Sequence, residues 1–96
     1  MIVVMNRITV AEGREKDFEK TFEQRDRAVD SMSGFLNLEV LRPSEGSTYI
    51  VMSRWQTRED FDQWTRSEAF HAAHKKQTPG ISQTRPTLEI YEIFTR

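Results

Sequence analysis

The chain has 96 residues, room for one domain spanning 1–96, with Lys+Arg 14 against Asp+Glu 15 and a formal net charge of -1 at pH 7. That balance offers no basic surplus for holding nucleic acid and no acidic tail. The absence of cysteine excludes disulfides, thiolate metal sites, iron–sulfur clusters and cysteine nucleophiles, and fits a cytoplasmic setting.

The apolar start, Met1 to Met5, is too short and lacks the charged flank expected of a signal peptide. No run approaches the ~20 apolar residues of a membrane helix, so no membrane partner is expected. Ile2 to Val10 reads as a β-strand of alternating faces. Asn6 is the only polar residue on the face it shares with Ile2, Val4, Ile8 and Val10. Two readings of it stay open: a buried amide satisfying nearby backbone, or a donor aimed into a pocket.

Gly13 breaks the strand, and the spacing of Phe18, Phe22, Val29 and Met32 predicts a helix over Arg14–Met32, ended by Ser33-Gly34. Arg25 falls on the same stripe, either snorkelling to water or meeting an anionic ligand. Phe35 to Arg42 and Tyr49 to Trp55 read as a hairpin around Pro43-Ser44-Glu45-Gly46-Ser47. Thr57 is a predicted N-cap, with Asp60 three residues on. Phe61 and Trp64 face inward, and Ser67 can cap a further segment carrying Phe70, Ala73 and His74. Thr78-Pro79-Gly80 should end that segment, followed by a polar loop, Ile81 to Arg85, and a last strand, Thr87 to Phe94.

The order β-α-β-β-α-β is an α+β, ferredoxin-like pattern, an antiparallel sheet with both helices on one face. Apolar residues recur on the other face too, among them Val3 and Met5. A domain of this size buries only somewhat over ~60% of its unfolded surface. A sheet-to-sheet homodimer is therefore expected.

The four glycines are isolated and form no phosphate-binding loop, and no His-Glu-x-x-His stretch occurs. His71 and His74 are spaced i, i+3, but no third zinc ligand is evident. Haem asks for less: one axial ligand, an apolar slot and a few polar donors. His74 could supply the ligand, and Phe22, Phe61, Trp64 and Phe70 the slot; a lone histidine on an apolar helical face is otherwise a core or boundary residue.

Asn6-Arg7 in the first strand, Gly34-Phe35-Leu36 opening the second, and Trp64-x9-His74 within the segment Trp64 to Lys75 carry a resemblance. The chain resembles the small haem-degrading monooxygenases of the antibiotic biosynthesis monooxygenase superfamily, the IsdG-like group, nearly end to end. The resemblance implies a dimeric α/β-barrel with one haem per subunit between helices and sheet. It implies a catalytic set of Asn6, Trp64 and His74, with His74 the axial ligand of the haem iron. Phe22 and Phe70 would line the slot and Arg25 approach a propionate. O2 and an external electron donor, a reductase or small reductant, would drive ring opening and iron release. Two alternatives accompany it: a cofactor-independent monooxygenase of quinol or polyketide-like substrates, whose known members generally lack that set, and a non-catalytic haem-binding protein.

Overall fold

A computed structural model of the chain describes residues 1–25, 27–75 and 87–96, with residues 73–75 described by their backbone alone. Its elements are β1 (Ile2–Thr9), α1 (Glu15–Glu23), a 3-10 helix (Ala28–Ser31), β2 (Phe35–Leu41), β3 (Thr48–Trp55), α2 (Arg58–Arg66), α3 (Glu68–Lys75) and β4 (Thr87–Glu92). The strands form one antiparallel sheet in the order β2-β3-β1-β4, the ferredoxin-like topology expected from the sequence. Thr78-Pro79-Gly80 and the Ile81 to Arg85 loop lie outside the described residues.

The register sorts the side chains into two faces. On the helix side, Ile2 and Val4 of β1 join Trp55, Val29 and Phe61 in one buried cluster. Ile8 and Val10 join Phe18 and Tyr49 in a second. The opposite face carries Val3, Met5 and Arg7 of β1 beside Arg54, Met52 and Ile50 of β3, and beside Tyr91, Glu89 and Thr87 of β4. Arg7 donates to Glu89 there at 2.5 Å, which holds the Glu89 carboxyl below its ordinary range. So Arg7 and Asn6, neighbours in sequence, serve opposite faces.

One element departs from the sequence expectation. The predicted helix Arg14–Met32 is two pieces: α1 stops at Glu23, and Val29 lies in the separate 3-10 helix. Phe18 and Phe22 belong to the second cluster, whereas Val29 and Met32 pack on the first. The intervening Gln24-Arg25-Asp26-Arg27 offers no apolar side chain to continue the stripe, so nothing holds a straight helix across both clusters. β4 also ends earlier than expected, at Glu92, with Phe94 left 92% exposed.

An ionic tie fixes α1 to the hairpin. Arg42 donates twice to Glu19, at 2.6 and 3.1 Å, and the Tyr49 hydroxyl donates to the same carboxylate. Those hydrogen bonds, from Arg42 first and Tyr49 second, hold the Glu19 carboxyl down at about 2, from an ordinary 4.5. A depressed folded value stabilises the fold above the unfolded value and loses that contribution as pH falls through the folded one. Glu19→Gln should therefore flatten the pH dependence of stability between pH 4.5 and about 2; denaturation curves of equal slope in wild type and variant would refute the tie's role.

Candidate functional site

Across the helix side of the sheet the residues fall into rows. Phe35, Trp55, Ile2 and Glu92 form the first, and Leu38, Ser53, Val4 and Ile90 the second. Val40, Val51, Asn6 and Leu88 form the third, and Tyr49 lies opposite Ile8 in the fourth. Each row except the third contains buried residues from the clusters. In the third, Val40, Val51 and Asn6 are half-buried, and Leu88 is 54% exposed. Val40 and Val51 pack against the second cluster, so Asn6 stands at the border between the two cores.

Asn6 is not the buried, backbone-satisfied amide that one reading of the strand allowed. It is half-buried, and no hydrogen bond within the described residues engages its side-chain amide. Isoleucine or valine would suit the row by strand propensity and packing. The carboxamide is instead left able to donate to something placed over the row.

Each cluster carries a half-buried aromatic residue. On one side Phe22, half-buried, packs on the second cluster, with its ring 5.0 Å from that of Phe18. On the other Trp64 packs on the first cluster, and its ring meets Phe70 edge-on at 5.5 Å. The local chain path makes that meeting possible. Thr57 caps α2 by accepting from the Asp60 amide at 3.1 Å, as the sequence led us to expect. The helix stops at Arg66, and Ser67 takes an extended conformation. Ser67 donates from both its amide and its hydroxyl to the Trp64 carbonyl, and its hydroxyl accepts from the Phe70 amide at 3.1 Å. A one-residue break therefore starts α3 with Phe70 folded back against Trp64.

Arg25 follows the end of α1, between Phe22 on one cluster and Val29 on the other. Its side chain is 18% exposed, and its guanidinium lies 3.5 Å from Asp30. His71 is exposed, with its ring 5.7 Å from Phe70. His74 lies on the backbone of α3, and its side chain is outside the described residues.

Two aromatic residues separate from this set. Phe61, expected among the slot residues, is a core residue, buried and edge-on to Trp55. Trp55 is 1% exposed and donates its indole N–H to the Ser53 hydroxyl at 3.0 Å. The structure also adds residues that reading the sequence did not find. Leu88 and Val51 flank Asn6 across the sheet, and Asp30 pairs with Arg25. Alternation gave each strand residue its face, but only the register shows which faces share a row. A surface hollow of about 480 Å³ between Ile2, Gln56, Arg58 and Glu92 contains none of the expected site residues.

Residues 1–76 match the family model described as antibiotic biosynthesis monooxygenase. A staphylobilin-producing haem oxygenase of Staphylococcus haemolyticus is 33% identical over 91 residues, 92% of this chain and 86% of that protein. A mycobilin-producing haem oxygenase of Mycobacterium tuberculosis is 36% identical over 77 residues, 77% of this chain and 73% of that protein. The solved structure of the haem degrader MhuD from M. tuberculosis, with two haems in its active site, superposes with a TM-score of 0.85 at 29% identity. That match covers 100% of this chain and 98% of that one.

Proposed function

We propose that this chain, which belongs to the antibiotic biosynthesis monooxygenase family, is a haem-degrading monooxygenase that opens the porphyrin ring and releases its iron. Similarity to haem oxygenases over most of the chain supports this reading. The observation that carries it is Asn6 in the third sheet row, a half-buried carboxamide on an apolar face with no hydrogen bond among the described residues, at the border of two clusters that carry Phe22 and Trp64. A flat apolar ligand that also accepts a hydrogen bond suits such a border. Among the described residues, no helix is long and apolar enough to cross a membrane; a cytoplasmic setting goes with the proposal.

Haem supplies both the iron that activates O2 and the macrocycle to be opened, with electrons from a reductase or small reductant. The chain's own residues bind, orient and exclude water. Phe22 and Phe70 line the slot, and Arg25 meets a propionate with its guanidinium. His74 would hold the haem iron through an imidazole nitrogen. Trp64 presses on the macrocycle, anchored behind by the first cluster and at its edge by Phe70. Asn6 would donate its side-chain N–H to an oxygen acceptor over the row and so bias where the ring is attacked.

Haemin added to the purified protein should give a saturable Soret band that bleaches, with iron release, when a reductant is added in air. A persistent band would identify a carrier instead, and no band together with quinol-dependent O2 uptake would identify a cofactor-independent oxygenase. Asn6→Leu keeps the volume and removes the donor. It should leave haemin binding intact and slow bleaching about 10²–10³-fold, the usual cost of one preorganised donor. An unchanged bleaching rate would remove Asn6 from the mechanism.

The same proposal includes a homodimer packed through the sheet face opposite the helices. Val3, Met5, Ile50, Met52 and Leu41 make that face semi-apolar, interleaved with Arg7, Asn37, Glu39, Arg54 and Glu89. Cross-strand neighbours Asn37 and Arg54 each keep a buried polar atom there, Oδ1 and Nε, without a hydrogen-bond partner among the described residues. A second copy would cover the apolar residues of this face. Light scattering at micromolar concentration should give twice the monomer mass of 11.3 kDa; a clean monomer would contradict the dimer.

A further inference from the structure

We infer that Asp30 is a positioning residue that holds Arg25 over the slot and weakens its hold on the carboxylates of a bound porphyrin, so that the product can leave. This rests on the haem-degrading reading above. Two arginine–carboxylate contacts of this chain make the case by contrast. Arg42 and Glu19 pair through two contacts, at 2.6 and 3.1 Å, and the guanidinium is saturated on that side. Arg25 reaches Asp30 through one contact at 3.5 Å, too long for a good N–H to O hydrogen bond. The other oxygen of Asp30 accepts from Arg27 at 3.3 Å. One carboxylate is therefore shared by two guanidinium groups.

The two arginines are not equivalent. Arg27 is 74% exposed and Arg25 is 18% exposed. Arg25 is the less exposed of the two and directly follows the end of α1, and it is the one that the proposed function sets against a propionate. Among the described residues a single long contact engages its five N–H donors, which leaves them unsaturated there. A ligand carboxylate can approach the free donors without displacing Asp30. The two anions then share Arg25, and Asp30 repels the newcomer. Substrate and opened product both carry the propionates, so this repulsion acts on binding and release alike.

Asp30→Asn keeps the shape and removes the charge. It should tighten haemin binding about two- to five-fold, the range of a partly exposed ionic contact. Haemin dimethyl ester, whose propionates carry no charge, should bind wild type and variant equally. In steady-state turnover the variant should show a lower KM together with a lower kcat, because release of a dianionic product slows. Asp30→Glu, which restores the charge, should return both parameters towards wild type. Equal changes for haemin and its diester, or weaker haemin binding by Asp30→Asn, would overturn the inference. Failure of wild type to bind haemin at all would overturn the underlying reading, and the inference with it.

Discussion

Alanine at position 74 is expected to abolish haem turnover and the spectrum of a histidine-ligated iron, while alanine at position 71 leaves both near wild type. The two histidines lie three residues apart on α3. His71 is exposed and follows directly on Phe70, with its ring against the phenyl. Position 74 comes one helical turn after Phe70, and residues four apart on a helix share a face. Phe70 is turned towards Trp64, the tryptophan of the proposed set. With His74 as the proposed ligand, its removal would leave haem held by apolar contacts and propionates alone, without a fixed orientation to Asn6. Imidazole added to a His74→Gly variant should restore part of the spectrum by filling the vacated position. Loss of the haem spectrum in His71→Ala, with His74→Ala unaffected, would assign the ligand to the wrong histidine.

Parts of the candidate site stand out in the sequence because their residues break local rules. A polar Asn6 on an apolar strand face is conspicuous by alternation alone, and Ser67 between two helical patterns announces a cap. The strand order followed from the order of the elements and the compulsory pairing of a hairpin. What escaped was set by tertiary contacts. The border at the third row depends on which residues of β3 and β4 lie beside Asn6, and register is decided by the whole sheet. The break after Glu23 escaped because Phe18, Phe22, Val29 and Met32 keep helical spacing, although they feed two different clusters. Periodicity records that a residue points inward, but not which core it joins. Phe61 misled for the same reason: an inward aromatic beside Trp64, it is part of the core under the site and not of its wall.

Gly34→Ala is expected to be the most destabilising single-methyl change in the described chain, by about 2–4 kcal/mol from strain, overlap and a lost cap together. Gly34 has φ +79, a left-handed conformation that L side chains rarely adopt. A Cβ built there would also fall 2.0 Å from Asp60 Oδ2 and 2.6 Å from Asp60 Cβ. Swinging the carboxylate aside does not clear the second contact, so the first turn of α2 must move. That turn is tied down: the Thr57 hydroxyl donates to Asp60 Oδ2 at 2.9 Å and accepts from the Asp60 amide. The Gly34 carbonyl itself accepts from the Gln56 amide at 2.8 Å, so the strand end cannot retreat either. Gly13 isolates the two costs, because it has φ +83 with nothing within 4 Å of a built Cβ. Gly13→Ala should lose only the conformational part, about 1 kcal/mol. At roughly 4–8 °C per kcal/mol for a domain of this size, Gly34→Ala should lower Tm by about 10–25 °C and Gly13→Ala by well under half of that. Calorimetry giving equal shifts for the two variants would show that the overlap with Asp60 relaxes at no cost. A shift confined to Gly34→Ala places the strain at the start of α2, the helix that carries Trp64.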